Sequence, residues 1–286
     1  MPRPAAIAAR PFFIYVLGPC RCRQAKTPLD KNMMPFNFSF WQNTAKPPVN
    51  TDPTLEIWYD FSDNSTITLG TGTEINSVND KSTGSIKPAN STGGKRPKQA
   101  TSFQNGKNVA YFDGDNDLFT INPITNFQSV SGATMIMVCR FNNASATNTA
   151  TQLGTTGGQN AQRNECWLSI RSGDYQIGMA TGLAKTSGVA ITTVFHIFAV
   201  VFDGSQTGNA NRLKFRIDGV QKTLTFSQNI SNAMGSDASV FYIGETATAT
   251  EDLDGYIGEL LLYTRALNAT EVLNTENYLK LKWGIT

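Results

Sequence analysis

The sequence predicts an all-β protein, two antiparallel sheets packed as a sandwich, closed by one short C-terminal helix. Three observations carry this prediction. Short apolar runs recur along the chain, separated by clusters of glycine, asparagine, serine and threonine, the pattern of strands joined by turns. No long helical periodicity occurs before residue 268. The final stretch, Leu253 to Thr286, then reads as a buried strand, a capped helix and a stop. With 286 residues, 16% of them charged, and a formal net charge of +2, the chain can bury one sizeable core and has no strong electrostatic preference for polyanions. Neither nucleic acid nor membrane is therefore an expected partner.

Residues 1–33 differ in composition from the rest. Their apolar run, Phe12 to Leu17, is far too short to span a bilayer. A disordered leader or an over-extended start before Met33 or Met34 is one reading, and a secretory signal is the other. Leu17-Gly18-Pro19-Cys20 has the outline of a lipoprotein box, although Pro19 stands where a small residue is expected. Residues 34–54 read as an extended arm. Alternation places Phe36, Phe38 and Phe40 on one face, next to Trp41, so this segment either folds back as an edge strand or docks on a partner.

The domain proper is expected over 55–286. Leu55 to Phe61 opens it as a strand with Ile57 and Tyr59 facing one way and Trp58 and Asp60 the other. Residues 76–98 read as loop, with Lys95, Arg96 and Lys98 as a solvated basic patch. Strands are expected over 109–112, 118–121, 134–141, 165–171, 175–179, 195–202, 212–217, 221–226, 240–244 and 256–263. Asp218-Gly219 lies between two of them and favours a tight type I′ hairpin. Tyr256 to Tyr263 is too apolar to alternate, so it belongs in mid-sheet, covered on both faces. Asn268 then occupies an N-cap position with Glu271 three residues on as its capping-box partner, and Leu267 and Val272 sit at the staple positions. Val272, Leu279 and Trp283 form the inward stripe, Thr275, Lys280 and Lys282 are expected in water, and Gly284 supplies the left-handed stop.

Chemistry is sparse. Of four cysteines, Cys139 and Cys166 lie in strand-like runs, where they pack as free thiols or bridge if their strands are neighbours. The only histidine, His196, lies in core-like sequence and has no second histidine to share a metal. There is no G-x-S-x-G elbow, phosphate loop or dinucleotide fingerprint. Asp113, Asp115 and Asp117 alternate, as hard-cation ligands can, and calcium is the one candidate cofactor; turn formation and capping explain the same pattern. Trp167 and Tyr175 flank a turn at Ser172-Gly173-Asp174 and, with Asp174, are candidates for a sugar face, although alternation equally places Trp167 in the core.

Several of these stretches together carry a resemblance. Asp254-Gly255-x-Ile257-x-Glu259, the helix with its Leu267-x-x-x-Glu271 start, and Tyr278-Leu279-x-x-Lys282-Trp283-Gly284 close the chain. Upstream stand Arg96-Pro97, Asn105-Gly106-Lys107 and Phe112-Asp113-Gly114-x-x-Asp117 in the same order. The set resembles the laminin G-like, concanavalin A-like jelly-roll modules that recur in bacteriophage virion proteins and bacterial surface proteins, over roughly Leu55 to Thr286. The resemblance implies a concanavalin A-like jelly roll, and makes Asp113 and Asp117 the two acids of a usually structural turn, with any calcium at a loop rim. It implies a non-enzymatic virion subunit, a capsid decoration, head fibre or tail appendage. Such a subunit would attach to other virion proteins through Phe36, Phe38, Phe40 and Trp41 and present host-surface glycans with the sandwich. Self-association fits such an appendage, although no heptads for a trimeric coiled coil are present. A secreted or cell-surface bacterial carbohydrate-binding module is the alternative. A glycan hydrolase or lyase is a third reading, but the E-x-D-x-x-E strand of laminarinase-type glucanases is absent, and Glu251, Asp252, Asp254 and Glu259 have the wrong spacing for it.

Overall fold

The computed structural model describes residues 47, 51–82, 89–144, 147–154, 165–237, 239–246 and 251–286. The expected leader at 1–33 and the docking residues Phe36, Phe38, Phe40 and Trp41 lie outside them.

Eighteen strands, two α-helices and one short 3-10 helix (Asn64–Thr66) are described. The first seven strands are β1 (Leu55–Asp60), β2 (Ile67–Leu69), β3 (Ile75–Val78), β4 (Ala89–Asn90), β5 (Lys98–Gln104), β6 (Lys107–Asp113) and β7 (Phe119–Ile121). Next come β8 (Gly132–Phe141), β9 (Asn148–Gly154), β10 (Glu165–Arg171), β11 (Asp174–Met179), β12 (Gly182–Thr186) and β13 (His196–Asp203). After a single helical turn, α1 (Asn209–Arg212), follow β14 (Leu213–Ile217), β15 (Val220–Lys222), β16 (Leu224–Phe226), β17 (Val240–Ile243) and β18 (Asp254–Tyr263). Helix α2 (Ala269–Trp283) ends the chain.

All strand pairings are antiparallel. One sheet of eight strands runs β15-β14-β13-β8-β18-β6-β5, with β1 also paired to β18, and the other, of ten, runs β16-β12-β11-β10-β9-β17-β7-β4-β3-β2. The expected sandwich is thus what the chain forms. Strand β8 shows how the layers stack. Met135, Met137, Cys139 and Phe141 face the second sheet and pack with Ile170, Ile177 and Phe241, whereas Ile136 and Val138 face outward and pack with Leu279 and Trp283 of α2. Both faces are covered, which explains the unbroken apolar run. Strand β1 alternates as expected, with Ile57 and Tyr59 inward and Trp58 against the helix-side cluster.

Helix α2 is held where its sequence predicts. Asn268 accepts from the Thr270 and Glu271 amides, Glu271 returns a bond to the Asn268 amide, and Gly284 takes a left-handed φ of 65°. The far end is secured by another hairpin. Gln104 Nε2 and Asn105 Nδ2 donate to the Trp283 and Lys282 carbonyls at 2.8 and 3.0 Å, so the Asn105-Gly106-Lys107 motif satisfies the last carbonyls of the helix.

The contact that docks the helix is a buried carboxylate. Glu259 is fully buried in β18, and its Oε1 accepts from Trp58 Nε1 at 2.7 Å and the Tyr278 hydroxyl at 3.3 Å. Its Oε2 accepts from Lys282 Nζ at 2.6 Å and Trp283 Nε1 at 2.9 Å. Lys282 also pairs with Asp60 at 2.7 Å, and Lys81 approaches Asp60 at 2.9 Å. A register shift between Ile257 and Glu259 aims the carboxylate outward, and at Gly258 the Trp283 ring lies 2.8 Å from where a Cβ would stand. Burial raises the Glu259 pKa, as does the Asp60 charge, with Lys282 opposing. Asp60 is itself pushed up by burial, but Lys282 and its hydrogen-bond donors outweigh this and hold it low.

Three expectations need correction, and one open alternative is decided. Lys282 is only 13% exposed at its side chain and Thr275 is buried, because both face the sheet that Glu259 and the α2 stripe cover. The alternative decided is that of Cys139 and Cys166, which are both free and buried, packed as small hydrophobes as the first of the two readings has it. Residues 221–226 form two strands in different sheets, β15 pairing with β14 and β16 with β12, with Thr223 as the crossing point. The loop expected at 76–98 contributes β4 and the ends of β3 and β5; these edge pairings are too short to leave a periodic signal.

Replacing Glu259 by alanine leaves two buried indole N–H groups and the Tyr278 hydroxyl without their acceptor and Lys282 with Asp60 as its remaining partner. The expected loss is about 3–5 kcal/mol of stability, read as a shift of the urea midpoint. A loss under about 1 kcal/mol, the range of an exposed pair, would show that helix docking does not rest on this carboxylate.

Candidate functional site

Helix α2 covers only part of the outer face of the eight-stranded sheet. Beyond its C-terminal end a row of side chains runs across the strands. Lys98 of β5 pairs in register with Tyr111 of β6, Tyr111 with Tyr256 of β18, and Tyr256 with Arg140 of β8. Cross-strand partners on one face stand close enough to touch. The Tyr111 and Tyr256 rings are 4.9 Å apart between centroids, and the Arg140 guanidinium lies 5.3 Å from the Tyr256 ring.

A backbone irregularity adds a third ring. Between Ala100 and Gln104 the β5–β6 register shifts, and Ser102 takes a φ of 51° while its amide donates to Asn108 Oδ1. Phe103 is thereby released from the ladder. It stacks on Tyr256 with centroids 4.3 Å apart, lies 5.7 Å from Arg140, and remains 40% exposed. Phe195 closes the group edge-on at 6.2 Å from Phe103.

Beside these rings opens a cleft of about 470 Å³, lined by Gln104, Arg140, Phe195, His196, Asp218 and Ile285 among others. A hollow of about 400 Å³ adjoins it, sharing His196 and Asp218 and adding Lys222 and Lys280. His196 links the two. Its Nδ1 is 2.6 Å from Asp218 Oδ2, its Nε2 is 2.6 Å from Thr192 Oγ1, and Asp218 Oδ1 accepts from the Ile197 amide at 2.8 Å. Asp218 and Gly219 have φ of 51° and 83°, the left-handed pair of the expected I′ turn, which folds the carboxylate back onto β13. His196 is thus half-buried at the mouth of a cleft, with both ring nitrogens engaged.

Of the residues predicted from sequence for a sugar face, the structure removes two. Tyr175 is 1% exposed, packed among Phe141, Phe198 and Phe215, and Trp167 is 5% exposed, with Nε1 3.4 Å from Thr149 Oγ1 and Arg171 over its ring. The pleat places them on opposite faces of the second sheet, so they cannot form a joint clamp. Asp174 pairs with Lys185 at 2.8 Å. Burial pushes the Tyr175 phenol up to about 12, and a bond with the Thr192 backbone draws it partly back. Tyr175 therefore braces the loop beside the cleft from within.

Asp113 and Asp117 do build a turn. Asp117 is buried and its Oδ2 accepts from the Asp113 amide at 3.0 Å, while the exposed Asp113 accepts from the Asp115 amide at 3.3 Å. Among the described residues no three carboxylate, imidazole or thiol groups converge at metal-binding range. Calcium takes six to eight oxygens, whereas in this turn one oxygen each of Asp113 and Asp117 accepts from a backbone amide and Asp115 accepts from the Asn116 side chain.

Phe103, Tyr111, Tyr256 and Arg140 were not signalled as a group in the sequence. The one trace is Phe103, a large apolar residue immediately before the polar Gln104-Asn105-Gly106 turn.

A lectin-type β-sandwich with an aromatic-edged cleft is the class that this geometry defines. The family model of the concanavalin A-like lectin/glucanases superfamily matches residues 112–273, and the chain belongs to that superfamily. No curated protein matches it. Among solved structures, a Trypanosoma rangeli sialidase in complex with the inhibitor DANA is similar at 15% identity and a TM-score of 0.53, over 80% of this chain and 33% of that one. The same sialidase as its covalent intermediate with 2,3-difluorosialic acid gives 15% identity and 0.52 over the same shares. The binding domain of botulinum neurotoxin serotype D is 10% identical with a TM-score of 0.48, over 82% of this chain and 54% of that one. The chain spans about a third of the sialidase, and the likeness is one of fold.

The buried acids near the Asp113 turn give the fold a pH signature. Burial, with neighbouring carboxylates adding to it, raises Asp117 and Asp252 from 3.8 to about 6. The folded chain then binds protons before the unfolded one, so both groups cost stability as pH rises through about 4 to 6. Asp63, held at about 2 by hydrogen bonds from Lys81 and Ser65, contributes stability above its unfolded pKa that is lost below it. Thermal midpoints should therefore peak at about pH 4, where Asp63 is ionised and Asp117 and Asp252 are still protonated in the folded chain, and decline toward neutrality. Asp117→Asn should flatten that decline; an unchanged slope would place its cause elsewhere.

Proposed function

We propose that this chain is a non-enzymatic glycan-binding protein of a bacteriophage virion, a capsid decoration, head-fibre or tail-appendage subunit. The observation that carries the glycan reading is the exposed Phe103 ring stacked on Tyr256 at the edge of the 470 Å³ cleft. A pyranose offers C–H bonds to a ring face and hydroxyls to planar polar groups, and Gln104 and Thr193 line the cleft beside those rings. Membership of a lectin/glucanase superfamily supports the same class of ligand. The virion assignment rests on the resemblance of the Asp254–Glu259 and Tyr278–Gly284 motifs and on the aromatic segment at 34–54 as an attachment arm. A bacterial secreted or cell-surface module with the same cleft is the alternative location.

One observation favours a second reading. Thr192, His196 and Asp218 form a hydroxyl–imidazole–carboxylate chain with both links at 2.6 Å, the connectivity in which an imidazole can take a hydroxyl proton while a carboxylate orients it. A glycan hydrolase or esterase would use it.

Two experiments separate these readings. On a glycan panel, Phe103→Ala should weaken binding roughly three- to tenfold with the fold intact, the worth of one aromatic contact. Product release that His196→Asn abolishes would replace the non-enzymatic reading with the hydrolytic one. Peptide mass spectrometry of gradient-purified particles tests the location. Co-purification of the chain supports the virion, and recovery only from envelope or medium supports the bacterial module.

A further inference from the structure

We propose that the sugar taken by this cleft carries a carboxylate, as a uronic or ulosonic acid does, and that Arg140 receives it. This rests on the glycan reading and narrows its ligand class. The observation behind it is an arginine without an acceptor. Six arginines lie among the described residues, and five of them have one: Arg96 binds Glu74, Arg171 binds Glu251, Arg212 binds the Gln206 and Ile230 carbonyls, Arg216 binds Glu276, and Arg265 binds Glu271 and Asp52. Arg140 has none. Its Nε is buried without a hydrogen-bond partner, and among the described residues its guanidinium meets only the Phe103 and Tyr256 rings.

The guanidinium stands beside the stacked pair, nearly equidistant from the two rings, and lines the cleft, where its N–H donors can meet a ligand. The acidic side chain that lines the cleft is engaged elsewhere, because Asp218 has one oxygen on the Ile197 amide and the other on His196 Nδ1. A cation held on aromatic rings with its donors unspent is a receptor for an anion. A carboxylate matches the guanidinium fork with two parallel bonds, which fixes orientation as well as charge. It is also a single charge, whereas a phosphate dianion would face the Asp218 carboxylate in the same space. The pyranose ring that bears the carboxylate would lie against the exposed Phe103 face, next to Arg140. The arginine would thus select acidic sugars and the phenylalanine would hold the ring.

The test uses the full chain and matched probes: polygalacturonate with its carboxyl-reduced form, sialyllactose with lactose, and a sulfated dextran. Affinity is read by titration calorimetry. Wild-type protein should bind at least one acidic probe about tenfold or more tighter than its neutral match, the worth of a charged hydrogen bond. Arg140→Gln should bind both members of that pair alike and keep the thermal midpoint of the parent, while Arg140→Lys should recover part of the preference. Equal binding of acidic and neutral members by the wild type overturns the carboxylate assignment and leaves the glycan reading standing. Binding of the sulfated dextran alone also overturns it. Binding of none of the probes overturns both.

Discussion

Glu259 is the residue on which the arrangement of this molecule depends. A carboxylate in the middle of a central strand is costly to desolvate, and it is tolerated here because four donors converge on its two oxygens. Three of the donors, from Tyr278, Lys282 and Trp283, belong to α2, and the fourth, Trp58, to the first strand of the domain. The first described strand, the last strand and the last helix are therefore tied at one point. Gly258 lets the Trp283 ring lie flat on the backbone beside it. A second buried carboxylate works in the opposite sense: Glu276 of α2 receives the Arg216 guanidinium of β14 through two bonds at 2.8 and 2.9 Å.

Fixing the helix in this way decides what it leaves uncovered. Trp283 and Lys282 must reach Glu259, Gly284 stops the helix immediately after them, and the Asn105 turn closes over the last carbonyls. The sheet surface beyond, at Tyr111, Tyr256 and Arg140, then has no helix of the described residues above it. Phe103 is on that surface because the bulge that positions the Asn105 turn also turns its ring outward. The capping of the helix and the exposure of the aromatic ladder are two results of one local geometry.

The motifs shared with the laminin G-like modules are, in this chain, structural contacts. Glu259 meets Lys282 and Trp283, Asn105 meets the helix end, Arg96 meets Glu74, and Asp117 caps the Asp113 turn. Such motifs identify the fold because they close it. They say little of a ligand, which explains why the sandwich, the helix cap and the I′ turn at Asp218-Gly219 could be read from the sequence while the cleft could not. Trp167 and Tyr175 misled because alternation around a turn gives two faces without saying which is covered. Lys282 misled because a lysine on a helix is ordinarily solvated, and its acid partner lies 23 residues away.

By itself the sequence determined what depends on local chemistry. Strand runs follow from apolar content, turns from glycine and asparagine, and the helix limits from Asn268, Glu271 and Gly284. Tertiary structure alone decided what depends on register between distant strands. Lys98, Tyr111, Tyr256 and Arg140 come from four strands that are scattered in sequence and adjacent in the sheet, and a shift of one residue in any pairing would turn that side chain to the other face. Arg140 is the clearest case. Its sequence neighbours are a cysteine and a phenylalanine, and only the assembled sheet shows that its guanidinium rests on aromatic rings with no acceptor beside it.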